Sequence, residues 1–232
     1  MTPFQKKVFQ ILQIFTQICD QLQLKYFLVC GSALGAVKYG GFVPWDDDVD
    51  VALFRNDYER FCKEAPPLLP EQLFLQNFQS DPAFPAIYSK LRNSETACIE
   101  ESVAALPINH GISIDIFPLD GYPTDKKEQE RLERKKAWFV RKLSIPCVRP
   151  ERWKEAVVNP LRALGFGKNT AQTAAAYTAL ISAWPAESSS VIANHGNWQD
   201  AGNTTEKKYM EMAVAAGSRD FLFGFRQTVM RI

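Results

Sequence analysis

The sequence predicts an α/β fold: a small mixed sheet flanked by helices and followed by a C-terminal helical appendage. Three observations lead there. Apolar residues near the start recur at helical spacing, short apolar and β-branched runs ended by glycine or proline fill the rest of the first half, and the second half shifts to charged and alanine-rich helical patterns. With 232 residues and 46% hydrophobic content, the chain can bury a sizeable core. The expected division is a core over 1–125, N-terminal helix included, and the appendage over 126–232.

Phe4, Val8, Ile11, Leu12, Phe15, Ile18 and Leu22 fall on one stripe, so the chain opens with an amphipathic helix of about five turns. The run 26–30 reads as a buried strand stopped by Gly31-Ser32, and Ser32 is expected to cap a short helix over 33–39 that Gly40-Gly41 ends. After a loop, the alternation Asp48, Val49, Asp50, Val51 predicts a second strand with one polar and one apolar face. Asn56 is expected to cap a helix over 57–65, which Pro66 and Pro67 terminate. Strand-like pieces follow at 73–78, 87–91 and 96–99, and a clear strand at 112–117 is expected to end at Pro118. Helical patterns then run over 126–141, 152–164 and 171–184.

Charge narrows the possible functions. The 27 basic residues nearly cancel the 26 acidic ones, and a net charge of +1 gives no field to hold nucleic acid by counterion release. The five cysteines are scattered without CxxC spacing and read as core residues of a reducing compartment. No stretch approaches the roughly 20 apolar residues of a membrane span, and the start lacks a basic region followed by an apolar run and a cleavage site. A cytoplasmic protein without a transmembrane segment is expected.

The chemistry concentrates in Asp46-Asp47-Asp48-Val49-Asp50. If this segment is extended, the carboxylates of Asp46, Asp48 and Asp50 share one side, where they repel unless a hard divalent cation neutralises them. An EF-hand starting at Asp46 would need Gly and Glu where Val51 and Asp57 stand, so that calcium loop is disfavoured. A mere surface turn is disfavoured too, because the run leads into Val49, Val51, Ala52 and Leu53, a core pattern.

Gly31-Ser32, between a strand and a helix N-terminus, can grip phosphate through backbone N–H groups. Followed some fifteen residues later by Asp-x-Asp, it makes the pattern of nucleotidyltransferases. Asp115, between Ile114 and Ile116, supplies the third carboxylate that this fold calls for. It either completes the metal site or deprotonates an acceptor hydroxyl, unless it serves only as partner to a nearby arginine or amide.

The wording of several segments resembles the LicD/fukutin family of phosphotransferases. It runs through residues 31–37, 41–51, Asp57-Tyr58 and Phe61, Lys90-Leu91-Arg92 with Thr96, and 110–121, covering about 20–125. The resemblance implies transfer of a phospho-alcohol group, typically phosphocholine from CDP-choline, to a hydroxyl of a cell-surface glycan such as lipopolysaccharide or teichoic acid. It matches Asp46, Asp48, Asp50 and Asp115 to a site for Mg2+ or Mn2+, with Asp48, Asp50 and Asp115 catalytic. Lys90 and Arg92 become candidates to neutralise the donor's pyrophosphate, alongside Gly31 and Ser32, or else are surface residues flanking a strand. Trp45, Tyr39, Tyr88 and Trp138 are available to hold a quaternary ammonium, although each also suits a core role. Family members usually continue to an aromatic-rich stretch ending in Tyr-Gly-Asp, whereas from about Ala213 this chain departs from that wording.

Two other functions fit the same residues. One is a nucleotidyltransferase acting on a nucleoside triphosphate; the other is a remnant that binds metal and nucleotide without transfer. Turnover of labelled CTP, ATP or CDP-choline separates them.

Overall fold

The computed structural model describes residues 1–147, 169–194 and the strand 204–206, with residues 157 and 160 as isolated helical positions. The helical pattern over 152–164 and the segment beyond 213 lie outside the described residues.

Helix α1 (Pro3–Leu22) starts where Thr2 and Gln5 satisfy each other's backbone N–H groups, at 2.8 and 3.1 Å, with Pro3 in the first turn. Its stripe, with Val8, Ile11, Leu12, Phe15, Ile18 and Cys19 buried, packs on one face of the sheet. Strand β1 (Tyr26–Leu28) leads into α2 (Cys30–Tyr39), which closes on Gly40 at φ 63°, a conformation suited to glycine. Then come β2 (Asp50–Phe54), α3 (Arg55–Glu64), β3 (Leu73–Gln76), β4 (Ser89–Asn93) and the long β5 (Ile112–Gly121). Helices α4 (Lys126–Ser144) and α5 (Thr170–Ile181) pack together through Phe139 stacked on Tyr177. Strands β6 (Val191–Asn194) and β7 (Thr204–Glu206) complete the described chain.

The sheet is mixed, in the order β1-β2-β5-β4-β3, with β2 and β5 parallel and the other neighbours antiparallel. Strand β6 adds to the end of β5 and carries β7, so the second half also contributes strands to the core sheet. Strand β5 therefore has β2 along one edge, and β4 then β6 along the other.

Several expected boundaries move. Strand β5 runs through Pro118 to Gly121. The Asp115 N–H points at β2, bonding Val49 O at 2.9 Å, so alternation turns the Pro118 nitrogen toward the other edge. There β4 pairs with residues 112–116 and β6 with 119–121, and the missing donor falls between them. Helix α2 begins before Ser32, with Val29 at its cap, and α3 begins at Arg55, so neither Ser32 nor Asn56 caps a helix. The Asn56 amide instead donates to Glu187 at 2.7 Å. The segment 96–99 is not a strand: the Thr96 hydroxyl closes a turn on Asn93 O at 2.7 Å and accepts from Ile112 N at 2.9 Å.

Candidate functional site

Sheet register builds the site. Asp50 lies opposite Asp115 across the parallel β2–β5 pair, and Asp115 lies opposite Lys90 across the antiparallel β5–β4 pair. Side chains of residues in register share a face, so Asp50, Asp115 and Lys90 form a row across three strands, each about 4.8 Å from the next strand. Ser113 and Arg92 make the adjacent row. The alternate residues Val51, Leu53, Leu91, Ile114 and Ile116 point the other way into the core under α1. One face of the same strands thus carries the chemistry and the other carries stability.

The polar row opens into a cavity of about 430 Å³ whose wall includes Asp47, Asp48, Asp50, Lys90, Glu100 and Asp115. Asp46 and Asp48 do not stand on the strand. A turn closed by Asp46 N on Val43 O at 3.0 Å holds residues 44–45, and β2 begins only at Asp50. The expectation of three aspartates alternating along one extended strand is therefore corrected, because the turn rather than the pleat delivers Asp46 and Asp48. Asp46 shares a side-chain hydrogen bond with Asp48 and lies against Gly31, where a Cβ would sit 2.6 Å from the Asp46 carboxylate. Gly31 thus leaves room for an acidic side chain. Ser32 is buried, and its hydroxyl accepts from Asp50 N at 2.8 Å, tying α2 to the start of β2.

Lys90 and Arg92 are not surface residues. Lys90 Nζ lies 2.9 Å from Glu100 and 3.0 Å from Asp115, and Arg92 is held by Gln76, by Gly111 O at 2.7 Å and by Glu100 at 3.5 Å. Trp45 is not brought to the cavity; it is 80% exposed and meets Tyr39 edge-on at 6.2 Å. Trp138 is exposed on α4, whereas Tyr88 lines the cavity with the Lys90 ammonium 5.8 Å from its ring centroid.

The charges strain one another. Burial first, then the carboxylates of Asp48 and Asp115, push Asp50 up to about 7 despite the opposing pull of Lys90. Burial and Asp46 push Asp48 up to about 6. Asp115 is raised by burial, with Lys90 working against the rise. Burial opposes the Lys90 charge, yet Asp115 and Glu100 hold its ammonium above the ordinary range. Among the described residues no group of three His, Cys, Asp or Glu is placed so that it could hold a metal ion.

Glu100 was not legible in the sequence. Lys90 and Arg92, alternating on one strand, signal that a buried partner must exist. Nothing in the irregular stretch around Glu100 says which carboxylate it is.

A mixed sheet carrying acidic groups on β2 and β5, with a Gly-Ser helix start beside them, defines a domain of the nucleotidyltransferase type. The chain belongs to the LicD/FKTN/FKRP family, whose nucleotidyltransferase-domain model matches residues 23–173. It is 30% identical over 117 residues, 50% of this chain and 43% of the relative, to the lipopolysaccharide cholinephosphotransferase LicD of Haemophilus influenzae. An uncharacterized protein of Rickettsia typhi is 29% identical over 59 residues, 25% of this chain and 19% of its own length. The chain thus matches less than half the length of these curated relatives. Among the described residues, no helix is long and apolar enough to cross a membrane.

Proposed function

We propose that this chain transfers a phospho-alcohol group, phosphocholine from CDP-choline in the first instance, to a hydroxyl of a cell-surface glycan. The observation that carries the reading is the Asp50–Asp115–Lys90 row facing a cavity with space for a nucleotide diphosphate. The LicD relative, named as a lipopolysaccharide cholinephosphotransferase, supports the same reaction class.

A divalent ion belongs to this proposal on the chemistry of the donor set, although no three of its carboxylates stand together as a site in the described residues. Asp47, Asp48, Asp50, Glu100 and Asp115 share the cavity wall with Lys90 and Arg92, and burial first, then the neighbouring carboxylates, raise Asp48 and Asp50 to about 6 and 7. Hard carboxylate oxygens are what Mg2+ or Mn2+ takes. Asp48 and Asp50, with Asp46 and Asp115 beside them, would hold such an ion, which when bound supplies charge stabilisation on the phosphoryl oxygens.

The chain's own residues do the rest. Lys90 and Arg92 offer positive charge to the donor's diphosphate, and Gly31 gives the Asp46 carboxylate room against the start of α2. The acceptor oxygen attacks the phosphorus bearing the alcohol in line, the bond to CMP breaks, and Asp115 takes the hydroxyl proton. Asp50, Asp115 and Lys90 sit on paired strands and are held in position before substrate arrives.

Release of CMP from CDP-choline with Mg2+, with and without a lipopolysaccharide acceptor, tests the proposal. Acceptor-dependent CMP release supports it. Turnover of CTP or ATP instead, with pyrophosphate release, would replace it with nucleotidyl transfer.

A further inference from the structure

Glu100 is the one carboxylate on the cavity wall that comes from neither the aspartate segment nor the sheet. It sits just ahead of a single 3-10 turn, Glu101–Val103, and reaches back over β4. Its Oε1 lies 2.9 Å from Lys90 Nζ and 3.5 Å from Arg92 Nη2, so one oxygen bridges both cations. Those two residues are 7% and 1% exposed, while the Glu100 side chain is 43% exposed. The cations are fixed: Lys90 is also held by Asp115, and Arg92 by Gln76 and Gly111 O. Among the described residues the Glu100 side chain has no anchor beyond these two cations. Its backbone is tied, by Cys98 N to His110 O at 2.7 Å and by Val103 N to Glu100 O at 3.1 Å, so rotation of the side chain alone would free the cations.

This arrangement is that of a carboxylate standing where a phosphate oxygen would stand. Lys90 and Arg92 are the basic side chains on the wall of the acidic cavity, and both already face Glu100. A diphosphate arriving while Glu100 stays in place would meet cations whose charge is already spent, surrounded by Asp48, Asp50 and Asp115. We infer that Glu100 is an internal phosphate mimic that competes with the donor's diphosphate for Lys90 and Arg92, and so sets donor affinity and the ease of product release. The inference rests on the proposed use of a nucleoside diphosphate donor.

A contact closed in about nine molecules of ten weakens apparent binding ~10-fold. Removing its charge should therefore tighten binding, the opposite of what loss of an ordinary binding or structural residue does. Calorimetric titration of CDP and of CDP-choline, with Mg2+, into the full chain and into Glu100→Gln is the experiment. The expected result is ~10-fold tighter binding of both by the variant, with slower CMP release. Glu100→Asp, one methylene shorter, keeps the charge but reaches less far; it should shift affinity in the same direction by less, and it serves if the Gln variant does not fold. Unchanged or weaker CDP binding in the folded variants, or no binding by any form, overturns the inference. If binding tightens while CDP-choline is never turned over, the mimic stands and the transfer reading falls. If CDP-choline is turned over with affinity unmoved, the transfer reading stands without the mimic.

Discussion

Replacing Asp50 by Asn should stabilise the protein at pH 8 in the absence of divalent metal and flatten its stability between pH 5 and 8. In the folded chain Asp50 titrates at about 7 against an ordinary 3.8, because burial and the charges of Asp48 and Asp115 disfavour its ionised form. Between those values the folded state binds the proton that the unfolded state has lost, so stability falls as pH rises through the window. At 1.36 kcal/mol per tenfold change in acidity, the displacement amounts to about 4 kcal/mol at most. Coupling to Asp48 spreads this over the cluster, and half the figure is a sound expectation for one substitution. For a chain of this size that is ~4–8 °C in melting temperature. Glu100 does not blur the result: burial raises its pKa, but Lys90 more than offsets this and holds it below its ordinary value, so its contribution is lost only under more acid conditions. The assay is thermal unfolding in EDTA at pH 5, 6.5 and 8, followed by Mg2+ titration at pH 8. Wild type should melt later at pH 5 than at pH 8, and Asp50→Asn should melt later than wild type at pH 8 while losing its response to Mg2+. A wild-type melting temperature that climbs from pH 5 to 8, or an Asn variant less stable at pH 8, refutes the reasoning.

Asp115→Asn should keep donor affinity close to wild type while transfer falls by at least ~10²-fold, measured as CMP release against CDP-choline titration. Gly31→Val puts a side chain 2.6 Å or less from the Asp46 carboxylate, so either helix α2 or the aspartate turn must shift; affinity for Mg2+ and donor should fall, and unchanged CDP-choline binding by folded protein would count against the role given to Gly31. Arg55 and Asp120 form a buried two-bond pair at 2.6 and 2.7 Å. Arg55→Met strands the Asp120 charge and should cost about 3–5 kcal/mol in urea unfolding, with little loss from replacing both partners by apolar residues.

Much of this site could be read before the structure, and the reasons are local. The apolar stripe of α1 needs nothing but helical spacing, and Ile114-Asp115-Ile116 needs nothing but the two-residue period of a strand to place one carboxylate opposite a core face. Asp48 reaches the cavity wall by a route other than strand alternation, since the turn at 43–46 is closed by a backbone bond from Asp46 N to Val43 O, which no periodicity records. Ser32 looks like a helix cap in sequence, but its hydroxyl is spent on Asp50 N, a partner 18 residues away. Pro118 reads as a strand end because the gap between β4 and β6 that tolerates it is made by residues far off in the chain. Glu100 and the Arg55–Asp120 pair escaped for the same reason, as each is defined by a tertiary partner.

The shared edge of β5 has a consequence for how the protein is made. Leu119 pairs with Asn194, so the end of the strand that carries Asp115 waits for a segment about 75 residues further along. At ~5–20 residues per second of translation, that is roughly 4–15 s during which the ladder beyond Pro118 stays open on the ribosome. Pro118 offers no N–H to a stray strand along that edge, and β4 has already covered the half bearing Asp115. The nascent chain can therefore assemble its charged row early and finish the sheet late, with the proline guarding the interval.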